Sequence, residues 1–274
     1  MTIDDYFLQQ DSHVSDKWSG YLPIYERYLS GFEKQPINLL EIGIQNGGSL
    51  DVWARYFQSA KQIVGCDINP KCEELKFADS RIAVVVGDVN LAQTRASIHA
   101  KAPAFEVIID DGSHTSVDVI HTFKTLYPKL KPGGVYLIED LHCSYWAKFG
   151  GGLWRKDSAI EFFKQLVDVL NYESWGVEVP NNKIITRVKN NKALKIKLEV
   201  FRTIESIHFY NSVCVILKGH EAENTIGRRV VVGADAAVYD RLPASGSTLP
   251  VSPQARNARR LGIRLKSAVR KRIP

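Results

Sequence analysis

Two short apolar runs, Phe105-Glu-Val-Ile-Ile and Val135-Tyr-Leu-Ile, each end on a pair of acids, Asp110-Asp111 and Glu139-Asp140. The runs have the length and β-branched content of buried strands, and the stretch between them, Thr115 to Leu130, carries its apolar residues at helical spacing. Strand, helix and strand in that order make a βαβ unit. Its crossover is right-handed, so both strands end on the same edge of a parallel sheet, where open α/β sheets bind ligands. Four carboxylates therefore converge on one edge, and His114 follows the first pair within a turn of chain.

The same alternation runs through most of the chain. Strands are expected at Ile37 to Ile44, Gln62 to Cys66 and Arg81 to Val86. Helices are expected at Ser49 to Phe57, Lys71 to Phe77 after Pro70, and Leu91 to His99. Repeated β-then-α order predicts an α/β fold with a doubly wound, Rossmann-like and mostly parallel sheet. After the triple glycine 150–152, Ser158 to Leu170 has the pattern of an amphipathic helix. Leu198 to Arg202 and Ile207 to Leu217 then read as the two strands of a C-terminal antiparallel hairpin, the second broken near Asn211-Ser212. The expected organisation is a helical flank or lid over 1–35, a catalytic domain over 36–220, a linker or extension over 221–255 that is rich in Pro, Ser and Ala from 242, and a basic tail over 256–274.

The net charge of +6 belongs to that tail, which holds eight Lys/Arg and no acid, leaving 28 basic against 30 acidic residues upstream. A body near −2 is not that of a nucleic-acid-binding protein, which would carry a basic face of its own, so no nucleic-acid partner is expected. The tail alternates bases with Leu261, Ile263, Leu265 and Val269. It reads either as a basic amphipathic helix lying on an anionic membrane surface or as solvated chain. The four cysteines show no CxxC spacing and suit a reducing compartment. No apolar run is long enough to span a bilayer, and the start of the chain lacks a signal-peptide pattern. A cytoplasmic protein, with peripheral contact at the inner membrane surface as an option, is the expectation.

Between the first strand and first helix lies Glu41-Ile-Gly-Ile-Gln-Asn-Gly-Gly-Ser49. Gly43 and Gly47 would let the backbone turn and approach a ligand, with Glu41, Asn46 and Ser49 beside them and the next helix aiming its amides at the site. This is not GxGxxG, since Gln45 replaces the second glycine. Asp67, after the second strand, stands where an acid accepts hydrogen bonds from a ribose diol, and Asp88, after the third, is placed to meet an adenine edge. Helix capping is the alternative for both. Neighbouring strand residues point to opposite faces, so Asp110 is read as positioning a cofactor or the structure, and not as a metal ligand. Tyr21, Tyr25 and Trp146 are candidates for a wall on which a sugar could stack, with core packing as the alternative.

Leu40-Glu-Ile-Gly-Ile-Gln-Asn-Gly-Gly-Ser-Leu50 with Trp53, then Asp67, Ile109-Asp-Asp-Gly-Ser-His114 and Pro132-Gly-Gly-Val-Tyr-Leu-Ile-Glu-Asp140, resembles the class I S-adenosylmethionine-dependent methyltransferases. Within them it is most similar to the macrolide-sugar O-methyltransferases of the macrocin and mycinamicin type, with cephalosporin hydroxylase-like sequences similar in the same places. The resemblance covers about residues 15 to 150. It implies S-adenosylmethionine and Mg²⁺ as cofactors, Asp111, Glu139 and Asp140 as the metal ligands, His114 as the base, a sugar or glycoside acceptor, and a homo-oligomeric arrangement. A hydroxyl is a poor nucleophile at neutral pH. A hard cation on oxygen ligands can lower its pKa, and an imidazole, titrating near about 6.5, can take its proton. His142 is the rival base. The chain departs from the family pattern at Leu141-His-Cys-Ser-Tyr-Trp146, so the acceptor's identity does not carry over. The competing functions are a dinucleotide-dependent oxidoreductase and a non-catalytic scaffold for glycan assembly.

Overall fold

A computed structural model describes residues 1–175, 198–221, 224–238, 242 and 244–247. Its centre is a seven-stranded sheet of β1 (Asn38–Ile42), β2 (Gln62–Asp67), β3 (Ile82–Val86), β4 (Phe105–Asp110), β5 (Leu130–Ile138), β6 (Ile204–Phe209) and β7 (Cys214–Lys218). The strand order is β3-β2-β1-β4-β5-β7-β6. The first five strands are mutually parallel, while β7 runs antiparallel to both β5 and β6. This is the doubly wound, mostly parallel fold with an antiparallel C-terminal hairpin that the alternating pattern predicts.

Period-two burial explains the layers. Leu40, Ile42, Val64, Ile108, Tyr136 and Ile138 face one core, closed by α4 (Ala92–Lys101), α5 (Ser116–Leu126) and α6 (Ala159–Leu170). Leu39, Ile63, Val107, Ile109 and Leu137 face the other, closed by α1 (Ile3–Leu8), α2 (Leu22–Leu29) and α3 (Gly48–Tyr56). Strands buried on both faces need continuous apolar runs, which is why β4 and β5 were so visible in the sequence.

Two expectations need correction. Leu198 to Arg202 is not a hairpin strand, because Leu198–Phe201 is a short helix, α7, whose Phe201 stacks on Phe123 of α5 at 5.6 Å between ring centroids. The hairpin is instead built from the single run read as Ile207 to Leu217, extended back to Ile204 and folded at the Asn211-Ser212 break, with Phe209 opposite Cys214. Lys71 to Phe77 is no α-helix either, since only Pro70–Glu74 winds, as a 3₁₀ turn capped by the Asn69 side chain. The described parts of 221–255 contain no helix or strand, and the basic tail lies outside the described residues. Among the described residues, no helix is long and apolar enough to cross a membrane. All four cysteines are free and buried.

Candidate active site

The strand order reverses between β1 and β4, and this switch point is where the candidate residues gather. Gly43, one residue beyond β1, has φ +81°, and a Cβ there would lie 2.1 Å from the Asp111 carbonyl oxygen. The glycine loop and the end of β4 are thus in backbone contact. Asp67 closes the loop from the β2 side: its Oδ2 accepts from the amides of Ile44 and Gln45, each at 2.9 Å. Asp88 accepts from the Asn90 amide at 2.8 Å in the turn after β3. Asn46 is exposed at the loop tip, and Gly47 is buried against Phe77.

Asp111, His114 and Asp140 bring one ligand atom each to within 4.8 Å of one another. His114 Nε2 is 3.5 Å from Asp140 Oδ2 and 4.0 Å from Asp111 Oδ1. Both His114 (φ +55°) and Asp140 (φ +52°) sit in the left-handed region that side chains rarely adopt. Gln45 and Ser212, also at this edge, share that conformation. Four of the five non-glycine residues with positive φ among the described residues therefore cluster at one site, where strain of this kind tends to be held for function.

Glu139 is placed differently from its neighbours. It is buried, with Oε1 accepting from the Tyr25 hydroxyl at 2.5 Å and Oε2 from Lys17 Nζ at 3.0 Å. Lys17 also reaches Asp111 Oδ2 at 2.7 Å and Glu41 Oε1 at 3.4 Å. Glu41, wholly buried, takes the Ser49 hydroxyl and the Trp53 indole on its second oxygen. Glu41 and Ser49 therefore hold each other beneath the loop, next to the lysine. Burial pushes the Glu139 carboxyl above the usual carboxylate range, against the pull of the Lys17 ammonium. The same opposition of burial and Lys17 raises Asp111 and Glu41. Burial disfavours the ammonium too, yet the surrounding carboxylates outweigh it and hold Lys17 well above the ordinary lysine value. Asp110, buried at the end of β4, is pushed up to about 7 by burial, to which the neighbouring Asp111 charge adds.

Tyr21 and Tyr25 are not part of an open stacking wall. They are buried, and Tyr21 donates to Asp140 Oδ1 at 2.6 Å. Trp146 is exposed and forms a row with His142 (4.9 Å between centroids) and Trp18 (6.1 Å from His142). The His142 ring is fixed by Ser212 Oγ and stands 3.8 Å from Asp140 Oδ1.

Lys17, Tyr21, Tyr25 and Ser212 belong to this constellation in ways the sequence did not reveal. Lys17 stands 94 residues from Asp111 and 122 from Glu139 along the chain, so no local spacing joins them. Its only sequence signal is its place just before the aromatic helix. The oxygen-rich donor set suits a hard divalent cation. Three carboxylates, two buried and one partly exposed, facing one ammonium leave a charge deficit that such an ion would fill. A cleft bordered by Ser15, Lys17, Gly43, Gln45, Ser49 and Asp111 opens beside it, with the loop backbone free to approach a nucleoside-type cofactor.

Residues 40–141 match the family described as a methyltransferase domain. The 8-demethyl-8-alpha-L-rhamnosyl tetracenomycin-C 2'-O-methyltransferase of Streptomyces olivaceus is 32% identical over 217 residues, spanning 75% of this chain and 52% of that protein. The mycinamicin VI 2''-O-methyltransferase of Micromonospora griseorubida is 31% identical over 216 residues, spanning 75% and 50%. Among solved structures, MycE methyltransferase from the mycinamycin biosynthetic pathway, in complex with Mg, SAH and mycinamycin VI, superposes with a TM-score of 0.62 at 28% identity, covering 81% of this chain and 55% of that one. The chain thus spans about half the length of these relatives.

Proposed function

We propose that this chain, whose residues 40–141 match the methyltransferase domain family, is a Mg²⁺-dependent O-methyltransferase that moves a methyl group from S-adenosylmethionine to a sugar hydroxyl. The observation that carries the reading is the convergence of Asp111, His114 and Asp140 at the switch point, in backbone contact with the Gly43 loop. The relatives named above methylate glycosylated natural products, and MycE was crystallised with Mg and SAH. The acceptor proposed here is accordingly a sugar or glycoside.

Gly43 and its neighbours, with Glu41 and Ser49 beneath, would cradle the cofactor, while Asp67 at the end of β2 and Asp88 just beyond β3 would face its nucleoside. Asp110, at the end of β4, would support this cradle. Asp111, Asp140 and Glu139 would hold the metal, which when bound lowers the pKa of a hydroxyl and orients it. His114 Nε2 is the atom we assign to accept the hydroxyl proton. The resulting imidazolium would be paired with Asp140 and Asp111, at 3.5 and 4.0 Å. His142, held by Ser212 between Trp18 and Trp146, would line the acceptor side, where aromatic faces suit the apolar face of a pyranose. The protein's remaining task is to align oxygen, methyl carbon and sulfur.

Calorimetric titration with S-adenosylhomocysteine, NAD(H) and NADP(H), with and without Mg²⁺, tests this directly. Binding of the homocysteine nucleoside alone is expected, and binding of a nicotinamide nucleotide in its place would support an oxidoreductase. His114→Ala should then lower kcat by roughly 10²- to 10⁴-fold with cofactor affinity kept, and His142→Ala should act mainly on KM. A scaffold would show no turnover to lose.

A further inference from the structure

Lys17 holds one oxygen of each of three carboxylates in the acidic cluster. Its side chain is only 6% exposed, and its ammonium contacts Asp111 Oδ2, Glu139 Oε2 and Glu41 Oε1. The second oxygens have other partners: Tyr25 on Glu139, Ser49 and Trp53 on Glu41, and His114 facing Asp111. A divalent cation bound by Glu139 needs the Oε2 that Lys17 occupies, because the Tyr25 side of Glu139 is turned into the core, and such an ion shared with Asp111 would stand directly against the ammonium on Asp111 Oδ2. Two cations cannot share those oxygens at hydrogen-bonding distance without strong repulsion.

Lys17 is also the end of a strap. Gln10, Ser12 and His13 all bind the Asp51 carboxylate in the first turn of α3, with His13 Nδ1 at 2.7 Å and Ser12 Oγ at 2.8 Å. Val14 O accepts from the Gly48 amide at 3.2 Å. The strap thus crosses the start of the helix that follows the glycine loop and delivers the ammonium into the carboxylates.

We propose that Lys17 is a resident counter-cation which a divalent metal must displace from Asp111 and Glu139, making Lys17 the residue that sets metal affinity. The proposal rests on the metal-dependent reading above. Lys17 plays a positioning part: it keeps Glu41, Asp111 and Glu139 gathered, and it makes the site selective for a cation able to outcompete a buried ammonium. Coupling is reciprocal, so a metal that expels Lys17 loosens the strap, and a strap held down weakens the metal.

The first test uses the unaltered full chain. Acylation of Lys17 by N-hydroxysuccinimide acetate, followed by mass spectrometry across a Mg²⁺ titration, should show protection at zero Mg²⁺ and labelling that rises at least tenfold as Mg²⁺ saturates. Labelling that stays flat or falls while calorimetry reports Mg²⁺ binding would overturn the proposal, since the metal would then have entered without moving the lysine. Lys17→Met is the second test, with Mg²⁺ affinity expected to rise by tenfold or more and Lys17→Arg expected to keep affinity near or below that of the original chain. An unchanged or weaker affinity in Lys17→Met also overturns it. Titration of the same samples with S-adenosylhomocysteine separates the two readings. If the nucleoside binds and Mg²⁺ does not, the lysine proposal fails while the cofactor reading stands; if the nucleoside fails to bind, the methyltransferase reading itself is lost.

Discussion

Gly43 has no space for a side chain, because its φ of +81° is costly for any L-residue and the added Cβ would meet the Asp111 carbonyl at 2.1 Å. Gly133 provides a matched control: its φ is +78°, and nothing lies within 4 Å of its added Cβ. Gly133→Ala should cost only the left-handed strain, about 1–2 kcal/mol. Gly43→Ala should cost that and a further ~1–3 kcal/mol of overpacking. It should also abolish S-adenosylhomocysteine binding, which Gly133→Ala leaves intact. Chemical denaturation and calorimetry on the two variants check both statements, and equal losses of affinity would show that the Gly43 contact is not what shapes the cleft. The sequence could point to Gly43 because the need for a tight turn is local. Lys17 was out of reach for the opposite reason: its partners are brought to it by the sheet and by α2, and a lone lysine in a polar stretch has no pattern of its own.

Helix α5 ties the sheet edge to the turn after β3. His121 on α5 lies with Nδ1 2.6 Å from Asn90 Oδ1, and Thr122 donates to the same oxygen at 3.2 Å. Burial lowers the His121 pKa below the ordinary histidine value, and the Arg95 and Lys124 charges add to the effect. His99 on α4 is lowered in the same way, by burial first and then by Lys129 and Arg95. A histidine depressed in the folded state binds fewer protons folded than unfolded. Its contribution to stability is therefore complete above the unfolded pKa of about 6.5 and is lost as pH falls through that value towards the folded one. The histidine part of the stability should fall between pH 7 and 5, opposed over the same range by the raised Asp110 and Glu139 carboxyls, and His121→Gln should remove its share of that fall and shift the measured slope. A slope unchanged in His121→Gln, measured by urea denaturation at each pH, would assign it to other groups. At this scale the sequence was most readable where burial is two-sided, as in β4 and β5. It was misread at Leu198–Phe201, where a short apolar run fits a strand or one helical turn equally well and only stacking on Phe123 decides.

The charge of the whole molecule is divided in a way that makes a sharp expectation. Residues 1–255 carry 28 basic and 30 acidic side chains, while 256–274 carry eight basic and none acidic. The body therefore offers no net attraction to an anionic surface, and any such attraction must come from the tail, which lies outside the described residues. Each Lys or Arg near an anionic bilayer contributes on the order of 1 kcal/mol, and the interspersed Leu261, Ile263, Leu265 and Val269 would add apolar contact. We expect the full chain to co-sediment with vesicles rich in phosphatidylserine and not with neutral phosphatidylcholine vesicles, and residues 1–255 to remain in the supernatant with both. The attraction is screened over roughly 10 Å at 0.1 M salt and roughly 3 Å at 1 M. Raising the salt should thus release most of the bound protein, leaving only what the apolar residues retain. Equal sedimentation of the full chain and 1–255 would refute the membrane role, and a salt-insensitive difference would assign it to the apolar residues instead. A lipid-linked glycan is the acceptor class that surface attachment would favour, so the same vesicle assay decides which acceptors to screen first.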